Sequence, residues 1–531
     1  MIDVVIAGAG PNGLMLACEL GLAGVRPVVL DPLPGPNPLP RANGIVGQGV
    51  RILDHRGLYE PLAGNAEPPR PAAGHMFGAF SLDFSSVPQS QVYRLMAPQP
   101  KLVQVLAGRA AAYQADIRWG HALTGFDQHA AGVTVQVSGP DGRYELTAAY
   151  LVGADGGTSP TRKLAGIDFP GMSSHDVIGR IAADVLPPHG WVDPETGALD
   201  VPGFGRVPPL QFVRTERGLF IWAWLNGRSM IGSIELDGAP DDDQARAGQA
   251  EEGAPLTLPE LQASIERVLA VNVPLRPPAS NAPVDFRRFA GINSRIASRY
   301  TAGRVILVGD AAHVHSPLGG PGLNVGLQDA VNLGWKLAGV VQGRFEPTLL
   351  QTYEAERRPV AERVIMHSRA QLALIRPGPE VTALRELFGE LLADRHAVRR
   401  LSDLLAGADV CYPTDPGAHP LVGRWVPDLT IETPSGASRV AELARDGRPL
   451  LLDFTANAVL AAAVSDFDGV TVVAGRPVEP VAASALLVRP DGYVAWASSS
   501  DAPDVDALDR VLRHWFGIGA LGSQGASSVS A

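Results

Sequence analysis

Apolar runs that end in glycine-containing turns occur three times along the chain and indicate its fold. Residues 4–6, 151–152 and 305–308 are continuously apolar, and each run leads into such a turn. An apolar helical stretch follows the first run, from about residue 14 to residue 22. Fully apolar strands followed by helices are typical of a parallel sheet that is buried on both faces. The pattern therefore predicts an α/β domain.

The pattern changes twice farther along the chain. The runs VIGRIAADV, LQFVRTERGLFIWAWL and SMIGSIEL alternate between apolar and polar residues, which predicts an antiparallel sheet with one buried face. After an arginine-rich helical stretch and the turn-rich CYPTDPGAHP, the runs LLLDFTA, VTVVAG and ALLVRPDGYVAWA predict strands ahead of a final helix, DALDRVLRHWF. We expect five units: 1–171 with an excursion near 72–98, 172–285, 286–405, 406–518, and a disordered tail at 519–531.

Composition and charge exclude several classes of protein. The chain has 531 residues, too many for one hydrophobic core, and its 46% hydrophobic and 19% charged residues are ordinary for a globular protein. The formal net charge of -11 argues against a nucleic-acid partner. Cys18 and Cys411 form neither CxxC nor a metal-binding spacing, and no apolar run is long enough for a membrane helix. With no signal peptide visible, we expect a soluble, cytoplasmic protein.

The first glycine turn carries a dinucleotide-binding pattern. Gly8, Gly10 and Gly13 form GxGxxG between a strand and a helix, and the next expected strand, 27–30, is followed by Asp31. The first glycine allows a tight turn, the second allows a pyrophosphate to approach, and the third allows the helix and strand to pack closely. The helix N-terminus stabilises the phosphate charge, and the acid accepts the ribose hydroxyls. The pattern predicts FAD or NAD(P) as the ligand.

Two more acidic glycine turns favour FAD. The stretch LVGADGGTSPTRKLAG places Asp155 after one strand, and GDAAHVHSPLGGPGLN places Asp310 after another. Acids on separate strands suit a longer ligand, whose ribityl and ribose hydroxyls need more than one acceptor. The glycines of GGPGLN keep side chains away from a flat ligand, and the helix that starts near Leu323 directs its positive end at the same place. Reduced flavin is anionic at its pyrimidine edge, and such a helix end stabilises that charge.

The three turns, in this order, resemble those of the single-component FAD-dependent aromatic hydroxylases of the para-hydroxybenzoate hydroxylase type. The resemblance covers residues 1 to about 375 and is greatest to polyketide-tailoring and rifampicin-modifying monooxygenases. It implies an α/β fold with a Rossmann-like FAD-binding domain, an antiparallel-sheet substrate domain and a C-terminal thioredoxin-like domain. The last domain lacks CxxC, which excludes redox work. We expect it to contribute stability or subunit contacts.

The resemblance also implies the residues that bind FAD. They are Gly8, Gly10, Pro11, Asn12, Gly13, Asp31, Arg41, Gln99, Leu123, Asp155, Asp310, Gly322, Leu323 and Asn324. Within this set, Asp31 is expected at the adenosine ribose, Leu123 at the adenine and Asp310 at a ribityl hydroxyl. Leu323 and Asn324 are expected at the flavin pyrimidine. The family links the position of Asp155 to NAD(P)H binding as well.

The same resemblance implies where the reaction occurs. Pro317, Gly319 and Gly320 are expected to position the reactive part of the flavin through their backbone, with no side-chain catalyst. In the family, the antiparallel sheet covers the substrate pocket above the flavin. The candidate pocket residues are aromatic side chains of this sheet and one proline of the flavin turn: Phe212, Phe220, Trp222, Trp224 and Pro317.

One GxGxxG is visible, whereas reductases and the two-nucleotide Baeyer–Villiger enzymes generally carry a second. The resemblance therefore implies a single-component monooxygenase. NAD(P)H reduces the FAD, O2 adds to form a flavin C4a-hydroperoxide, and one oxygen atom passes to a large aromatic substrate of phenolic or polyketide-like character. NAD(P)H, O2 and this substrate are the expected partners, without nucleic acid, metal or membrane insertion, and the assembly is expected to be a monomer or homodimer.

Two other functions stay open on the same fold. The first is Baeyer–Villiger oxygen insertion into a polyketide ketone or quinone, which uses the same flavin chemistry. The second is a non-catalytic flavoprotein or binding protein. NMR of the product, showing lactone or phenol, separates the first from hydroxylation, and failure to consume O2 with NADPH would identify the second.

Several local features have simpler interpretations. His313 and His315 form HxH with no third ligand at a suitable spacing, so we do not predict a metal site. The Trp-Ala-Trp at 222–224 resembles the paired tryptophans of flavin-dependent halogenases, but the Ile-Pro that should follow is absent, which favours core or pocket-wall aromatics. The acidic stretch 237–255 is interpreted as a solvated loop, followed by a helix whose capping box begins at Thr257.

Overall fold

An eight-stranded sheet forms the centre of the N-terminal half in this computed structural model, which describes residues 2–38, 42–225, 228–236, 256–277, 286–316, 318, 320–455, 460, 464 and 469–517. Five of its strands pair in parallel, and the strand Thr301–Ala302 pairs antiparallel with Val305–Leu307 at one edge. The order is Thr301–Ala302, Val305–Leu307, Gly142–Gly153, Ile2–Ala7, Val28–Asp31 and Asp116–Trp119. The antiparallel strands Ala122–His129 and Gly132–Gly139 extend the sheet from Gly142–Gly153.

The α-helices of the described residues are numbered here in chain order. They are α1 Pro11–Leu22, α2 Gln48–His55, α3 Tyr59–Ala63, α4 Gln99–Ala112, α5 Pro160–Leu164, α6 Leu258–Leu269, α7 Pro321–Val341, α8 Gln351–Ile375, α9 Pro379–Leu391, α10 Arg395–Ala406, α11 Val440–Leu443 and α12 Val505–Phe516. Short 3₁₀ turns lie at Gly309–Ala311 and Pro347–Leu350.

The two faces of the parallel sheet are buried in different ways. Val4 and Ile6 face a core that includes α1, α4 and α7. Val5 and Val28 face the other way and pack against the antiparallel strand Gly132–Gly139. Since side chains alternate along a strand, both faces take apolar residues, which explains the continuous apolar runs of the sequence.

Helix starts lie slightly earlier than the apolar pattern predicts. Helix α1 begins at Pro11 rather than near residue 14, and α7 begins at Pro321 rather than near Leu323. In both cases proline occupies the first turn, where its missing N–H leaves no intrahelical hydrogen bond unmade. Helix α6 begins after Thr257 as expected, and the Thr257 side chain accepts a hydrogen bond from the Glu260 N–H at 3.4 Å. The reciprocal half of the expected capping box does not form, because the Glu260 carboxylate pairs with Arg180 and Arg288 instead.

A six-stranded antiparallel sheet lies over the carboxyl ends of the parallel strands. Its order is Gln211–Thr215, Gly218–Leu225, Arg228–Leu236, Gly171–Ala183, Phe286–Ile296 and His313–Val314. One face packs against α6 and buries Phe220 and Trp222. The opposite face carries Leu219 and Ile234, together with Ile375 of α8. Small two-stranded sheets complete this half: Leu199–Val201 with Gly205–Val207, Ile45–Val46 with Arg94–Leu95, and Gly74–Phe77 with Phe80–Asp83.

The C-terminal unit contains two sheets and shares its core with the N-terminal half. One sheet has the order Gly436–Arg439, Thr430–Thr433 and Arg476–Pro477, and the other has the order Thr471–Ala474, Leu450–Asp453, Ala485–Val488 and Val494–Ser498. The fold class expected from the sequence is confirmed. Ile431 and Val488 belong to the same hydrophobic core as α1 and α7, so the C-terminal unit packs directly on the N-terminal half. The unit boundaries expected from the sequence stay predictions. No helix among the described residues is long and apolar enough to cross a membrane.

Trp222 and Trp224 lie two residues apart on one strand and provide a matched test of this packing. Trp222 is fully buried and donates its indole N–H to the Gly197 carbonyl at 2.9 Å, whereas Trp224 is 51% exposed. We expect Trp222→Ala to destabilise the protein by about 3–5 kcal/mol and Trp224→Ala by less than about 0.5 kcal/mol. Urea unfolding measures both, and equal losses for the two variants would contradict the difference in burial between these two side chains, which share one face of the strand.

Candidate active site

One cleft connects the carboxyl ends of the parallel strands to the antiparallel sheet. Its volume is about 1520 Å³, and its lining runs from Gly8 and Asp31 to Phe212 and Met230. Sites for single drug-sized ligands usually measure about 300–1,000 Å³. The cleft is therefore larger than one such ligand requires, and open strand ends of this kind are where α/β sheets bind ligands.

Backbone packing at the first glycine turn leaves no room for side chains. A Cβ at Gly13 would lie 1.9 Å from the Gly8 carbonyl oxygen, and a Cβ at Gly8 would lie 2.3 Å from the Ala154 oxygen. Gly8 also has a φ of +110°, which L residues rarely adopt. Gly10 differs, because a Cβ there would meet nothing within 4 Å and the residue borders the cleft. The start of α1 therefore presents free backbone N–H groups to a ligand, as anion sites do.

Asp31 stands at the cleft with a fixed carboxylate. One oxygen accepts the Ala9 N–H at 2.8 Å, and the other accepts the Leu33 N–H at 2.9 Å. The side chain is buried, with a relative exposure of 9%. Because each carboxylate oxygen can accept two hydrogen bonds, both oxygens can still accept one from a ligand hydroxyl.

Asp155 borders the cleft, but its carboxylate serves its own turn. It accepts hydrogen bonds from the Ser159 hydroxyl, from the Thr161 N–H at 2.9 Å and from the Thr161 hydroxyl at 2.6 Å. Arg162 then joins this turn to the third one by donating to the Ala311 carbonyl at 2.8 Å. The sequence predicts Asp155 as a ligand-binding acid, which stays a prediction; in the structure Asp155 borders the cleft and its carboxylate caps helix α5.

The third turn combines an exposed acid with a tightly packed glycine. Gly309 has a φ of +59°, and a Cβ there would lie 2.0 Å from the Asn12 side-chain nitrogen. Asn12 also packs against Gly326 of α7, where an added Cβ would lie 2.3 Å from the same side-chain nitrogen. Asp310 extends into the cleft and is exposed. The asparagine thus packs α1 against the third turn, while Asp310 faces the cleft.

The start of α7 closes the far side of this turn. Gly320 has a φ of +65° and borders the cleft together with Gly322 and Leu323. The Asn324 side chain accepts the Val46 N–H at 2.8 Å and donates to the Gly320 carbonyl at 2.9 Å. Its amide therefore holds the helix start against the strand Ile45–Val46. The N-terminus of a second helix, like that of α1, points its positive end into the cleft.

His315 lies beside this helix start as a neutral ring. Its Nδ1–H donates to the Ser316 carbonyl at 3.1 Å, which leaves Nε2 as an acceptor, and Nε2 is buried without a partner among the described residues. Burial lowers the pKa of His315 to about 4, with smaller contributions from the neighbouring His313 and His367, while the hydrogen bond with the Ser316 backbone acts in the opposite direction. The ring borders the cleft, where a ligand hydrogen-bond donor would satisfy it.

The structure gathers most of the predicted site residues at the cleft. Those that border it are Gly8, Gly10, Pro11, Asn12, Asp31, Gln99, Leu123, Asp155, Asp310, Gly320, Gly322, Leu323 and Phe212. Gly13 and Asn324 support it from behind, through the contacts described above. Arg41, Pro317 and Gly319 lie outside the described residues.

Three of the predicted pocket aromatics lie elsewhere, and this is a correction. Phe220 and Trp222 face α6 on the far side of the antiparallel sheet, and Trp224 is half exposed near the strand end. The alternation of side chains places Leu219 at the cleft instead of Phe220. The sequence pattern of this strand is apolar on both sides, so it contained no signal for the choice of face.

Sequence reasoning missed one wall of the cleft at its antiparallel-sheet end. The residues that form it come from the excursion near 72–98, from the antiparallel sheet and from α8: His75, Met76, Arg94, Met96, Leu210, Met230, Gln371 and Ile375. No motif marks them, because they meet only through tertiary folding. Among the described residues, no group of three or more His, Cys, Asp or Glu could hold a metal ion.

Comparisons with known proteins agree with this geometry. The FAD binding domain family matches residues 1–226 and 244–368, and the aromatic-ring hydroxylase C-terminal family matches residues 419–518. The 12-dehydrotetracycline 5-monooxygenase/anhydrotetracycline 6-monooxygenase of Streptomyces rimosus is 41% identical over 98% of this chain and 99% of its own length. The rifampicin monooxygenase of Streptomyces venezuelae is 35% identical over 98% of this chain and 100% of its own.

A solved structure gives the same result. The anhydrotetracycline hydroxylase from Streptomyces rimosus matches with a TM-score of 0.81 and 39% identity, covering 97% of this chain and 99% of that one. The chain belongs to the family of FAD-dependent aromatic-ring monooxygenases, and the resemblance stated from its sequence is confirmed. FAD is its cofactor, and the open glycine turns and two helix N-termini of the cleft fit this group.

Substitutions at Gly10 and Gly13 of the first turn test FAD binding and folding separately. Gly10→Ala places a methyl group in open cleft space, so we expect an unchanged Tm of the apoprotein and a Kd for FAD raised at least about tenfold (about 1.4 kcal/mol). Gly13→Ala forces a clash with the Gly8 carbonyl and should lower the Tm or prevent folding. Gly35, which also has open space around it, provides the control as Gly35→Ala. Tight FAD binding by the Gly10→Ala variant would contradict the phosphate position.

Buried histidines near the cleft make stability depend on pH. Burial lowers the pKa of His367 to about 4, whereas a histidine in the unfolded chain titrates near 6.5. Between about pH 6.5 and 4 the unfolded chain binds the proton and the folded chain does not, so stability falls as the pH falls. His367 is 3% exposed, and its contribution to the loss is up to about 3 kcal/mol. Tm measured from pH 7 to 4.5 should fall less steeply for His367→Gln, and identical slopes would contradict this assignment.

Proposed function

We propose that this enzyme uses NAD(P)H and O2 to hydroxylate a large aromatic compound, polyketide-like in character, that binds at the antiparallel-sheet end of the cleft. The observation that carries the proposal is the continuity of the 1520 Å³ cleft from the first glycine turn to the apolar wall around Phe212 and Leu219. A dinucleotide and a multi-ring aromatic can occupy such a space side by side.

The cofactor-binding roles follow the order of the residues along the cleft. The backbone of Gly10–Asn12 holds the pyrophosphate, and Asp31 accepts the adenosine ribose hydroxyls. Asp310 accepts a ribityl hydroxyl. The start of α7, at Gly322 and Leu323, donates backbone N–H groups to the flavin pyrimidine edge. When bound, FAD supplies hydride acceptance and oxygen activation, and the protein supplies orientation and a site shielded from water.

The substrate end combines an adaptable apolar wall with a few polar groups. Met76, Met96 and Met230 border it, and thioether side chains adjust their shape to bulky ligands. His75 borders it as well, and burial followed by the charge of Arg94 lowers its pKa to about 4. A neutral imidazole at this place accepts a hydrogen bond from a phenolic hydroxyl, which raises the electron density of the ring that is to be oxygenated.

The names of the relatives support this substrate class. They act on anhydrotetracycline and on rifampicin, both large molecules that contain aromatic rings. NAD(P)H is proposed to reach the flavin along the cleft, whose lining includes Lys163 and Arg295 as positive charges for its phosphates. A monomer or homodimer is proposed as the working assembly.

The activity test measures NAD(P)H oxidation and product together. We expect at least one member of a panel of polycyclic phenols and quinones to stimulate NAD(P)H oxidation, with one atom of ¹⁸O from ¹⁸O2 incorporated into the product. NMR of the product should show a new phenol, whereas a lactone would identify Baeyer–Villiger insertion. No stimulation across the panel, with FAD bound, would contradict the proposal.

Phe212 and Trp224 allow the substrate wall to be tested on the same sheet. Phe212 borders the cleft, and Trp224 does not. Losing the apolar contact of the ring costs about 1.5–3 kcal/mol, so Phe212→Ala should raise KM for the stimulating aromatic about tenfold or more. The Kd for FAD should not change in either variant. A KM that rises equally in Trp224→Ala would place the substrate elsewhere.

A further inference from the structure

Buried polar side chains connect the third glycine turn to the C-terminal unit. Asp329 of α7 is fully buried, and its Oδ2 accepts the Gly309 backbone N–H at 3.2 Å and a hydrogen bond from His313 Nε2 at 2.6 Å. Its Oδ1 accepts Arg357 Nε at 2.8 Å, from helix α8. Arg357 Nη1 then donates to the Tyr412 hydroxyl at 3.1 Å. The chain of hydrogen bonds is unbroken from the turn to Tyr412.

Tyr412 is itself fixed on the C-terminal unit. Its ring stacks on that of Tyr493, with centroids 3.8 Å apart and an interplanar angle of 18°. Its backbone N–H donates to the Gly423 carbonyl at 2.8 Å. Both tyrosine rings are buried, so the position of the Tyr412 hydroxyl depends on how this unit packs.

A second contact holds the same turn of α8. Glu356, next to Arg357, accepts Arg489 Nη1 at 2.5 Å and Nη2 at 2.9 Å from the C-terminal unit. Lys336 of α7 donates to the same carboxylate at 2.6 Å. The bidentate pair of Arg489 and Glu356 is almost completely buried, with exposures of 3% and 4%, respectively. Helices α7 and α8 are therefore joined to the C-terminal unit at the level of Arg357.

The charge of Asp329 depends on these partners. Burial alone would raise its pKa, but the charges of His313 and Arg357 and their hydrogen bonds hold the pKa below its ordinary value. A buried carboxylate that loses its cation is strongly destabilised. Because this carboxylate also accepts the Gly309 N–H, a disturbance at Arg357 reaches the turn directly.

We propose that Arg357 and Tyr412 are positioning residues that hold the Gly309 turn for FAD, which makes the C-terminal unit a part of the cofactor site. The inference rests on the placement of the ribityl chain at Asp310 under the proposed function. It assigns to the C-terminal unit a role in cofactor affinity in addition to stability. Coupling between two sites is reciprocal, so FAD must in turn stabilise the packing around Tyr412.

The test removes one hydroxyl and keeps the ring. Tyr412→Phe retains the stack on Tyr493 but takes away the acceptor of Arg357, and also that of the Asn332 amide, which donates to the same hydroxyl at 3.3 Å. We expect the Kd for FAD, measured by titration of the apoprotein, to rise about tenfold, within the usual range of coupling between sites. A variant whose Tm falls while its Kd stays within twofold of the wild type would show a purely structural role and overturn the proposal.

Arg363 provides a matched control on the same helix. It pairs with Asp409 at 2.9 Å, and this contact also joins α8 to the chain beyond α10, but it lies at the surface, with Arg363 52% exposed. Arg363→Gln should leave the Kd for FAD within twofold of the wild type. A rise equal to that of Tyr412→Phe would show that any loosening of α8 weakens FAD binding, which overturns the assigned route.

A double-mutant cycle identifies the route. If Asp329→Asn and Tyr412→Phe act on FAD through the same hydrogen bonds, the double variant should raise the Kd by clearly less than the product of the two single effects. Effects that simply multiply would show two independent influences and overturn the proposal.

Hydrogen exchange of the wild-type protein gives a measurement that needs no variant. Adding FAD to the apoprotein should slow amide exchange in the strand Val494–Ser498 and in the segment around Tyr412, neither of which borders the cleft. Unchanged exchange there, together with normal FAD binding, overturns this inference alone. A wild-type protein that does not bind FAD would instead contradict the proposed function.

Discussion

The close approach of two backbone turns is the constraint on which the rest of the structure depends. The Gly8 turn contacts Ala154 and Gly13 so closely that a single methyl group at either glycine has no space. This contact brings the carboxyl ends of two parallel strands together and aims the start of α1 between them. The third turn, at Gly309, is brought to the same place by Asn12. A ligand with phosphates, hydroxyls and a flat ring system then meets its partners in the order in which these turns lie.

Polar side chains around the cleft act largely on the protein rather than on the ligand. Asp155 caps its own turn, Asn12 separates two glycines, and Asn324 ties the start of α7 to a strand. Each of these contacts fixes a stretch of backbone whose N–H groups border the cleft. Donors that are fixed before the ligand arrives need no reorganisation when charge develops, which is how enzymes obtain most of their electrostatic stabilisation. The buried Asp329–Arg357 pair extends the same arrangement behind the third turn.

The sequence predicted the parts of the site that backbone conformation decides. Gly8 and Gly13 have no space for a Cβ, Gly10 leaves open space at the cleft, and Asp31 and Asp310 lie at the ends of strands that meet there. The sequence did not predict which side chains of the strand Gly218–Leu225 face the cleft, because Leu219 and Phe220 are both apolar and point to opposite faces. Contacts such as Arg357 with Tyr412 were equally invisible, because they join residues 55 positions apart without a motif. The sequence therefore predicted the glycine turns and their acids, whereas the side-chain packing partners could be identified only from the structure.

The account depends most directly on FAD binding in this cleft. Titration of the cofactor-free protein with FAD, followed by removal of the excess, measures it. The predicted result is a yellow protein with one FAD per chain and the visible absorption of a bound flavin. A protein that remains colourless after incubation with excess FAD would contradict the account.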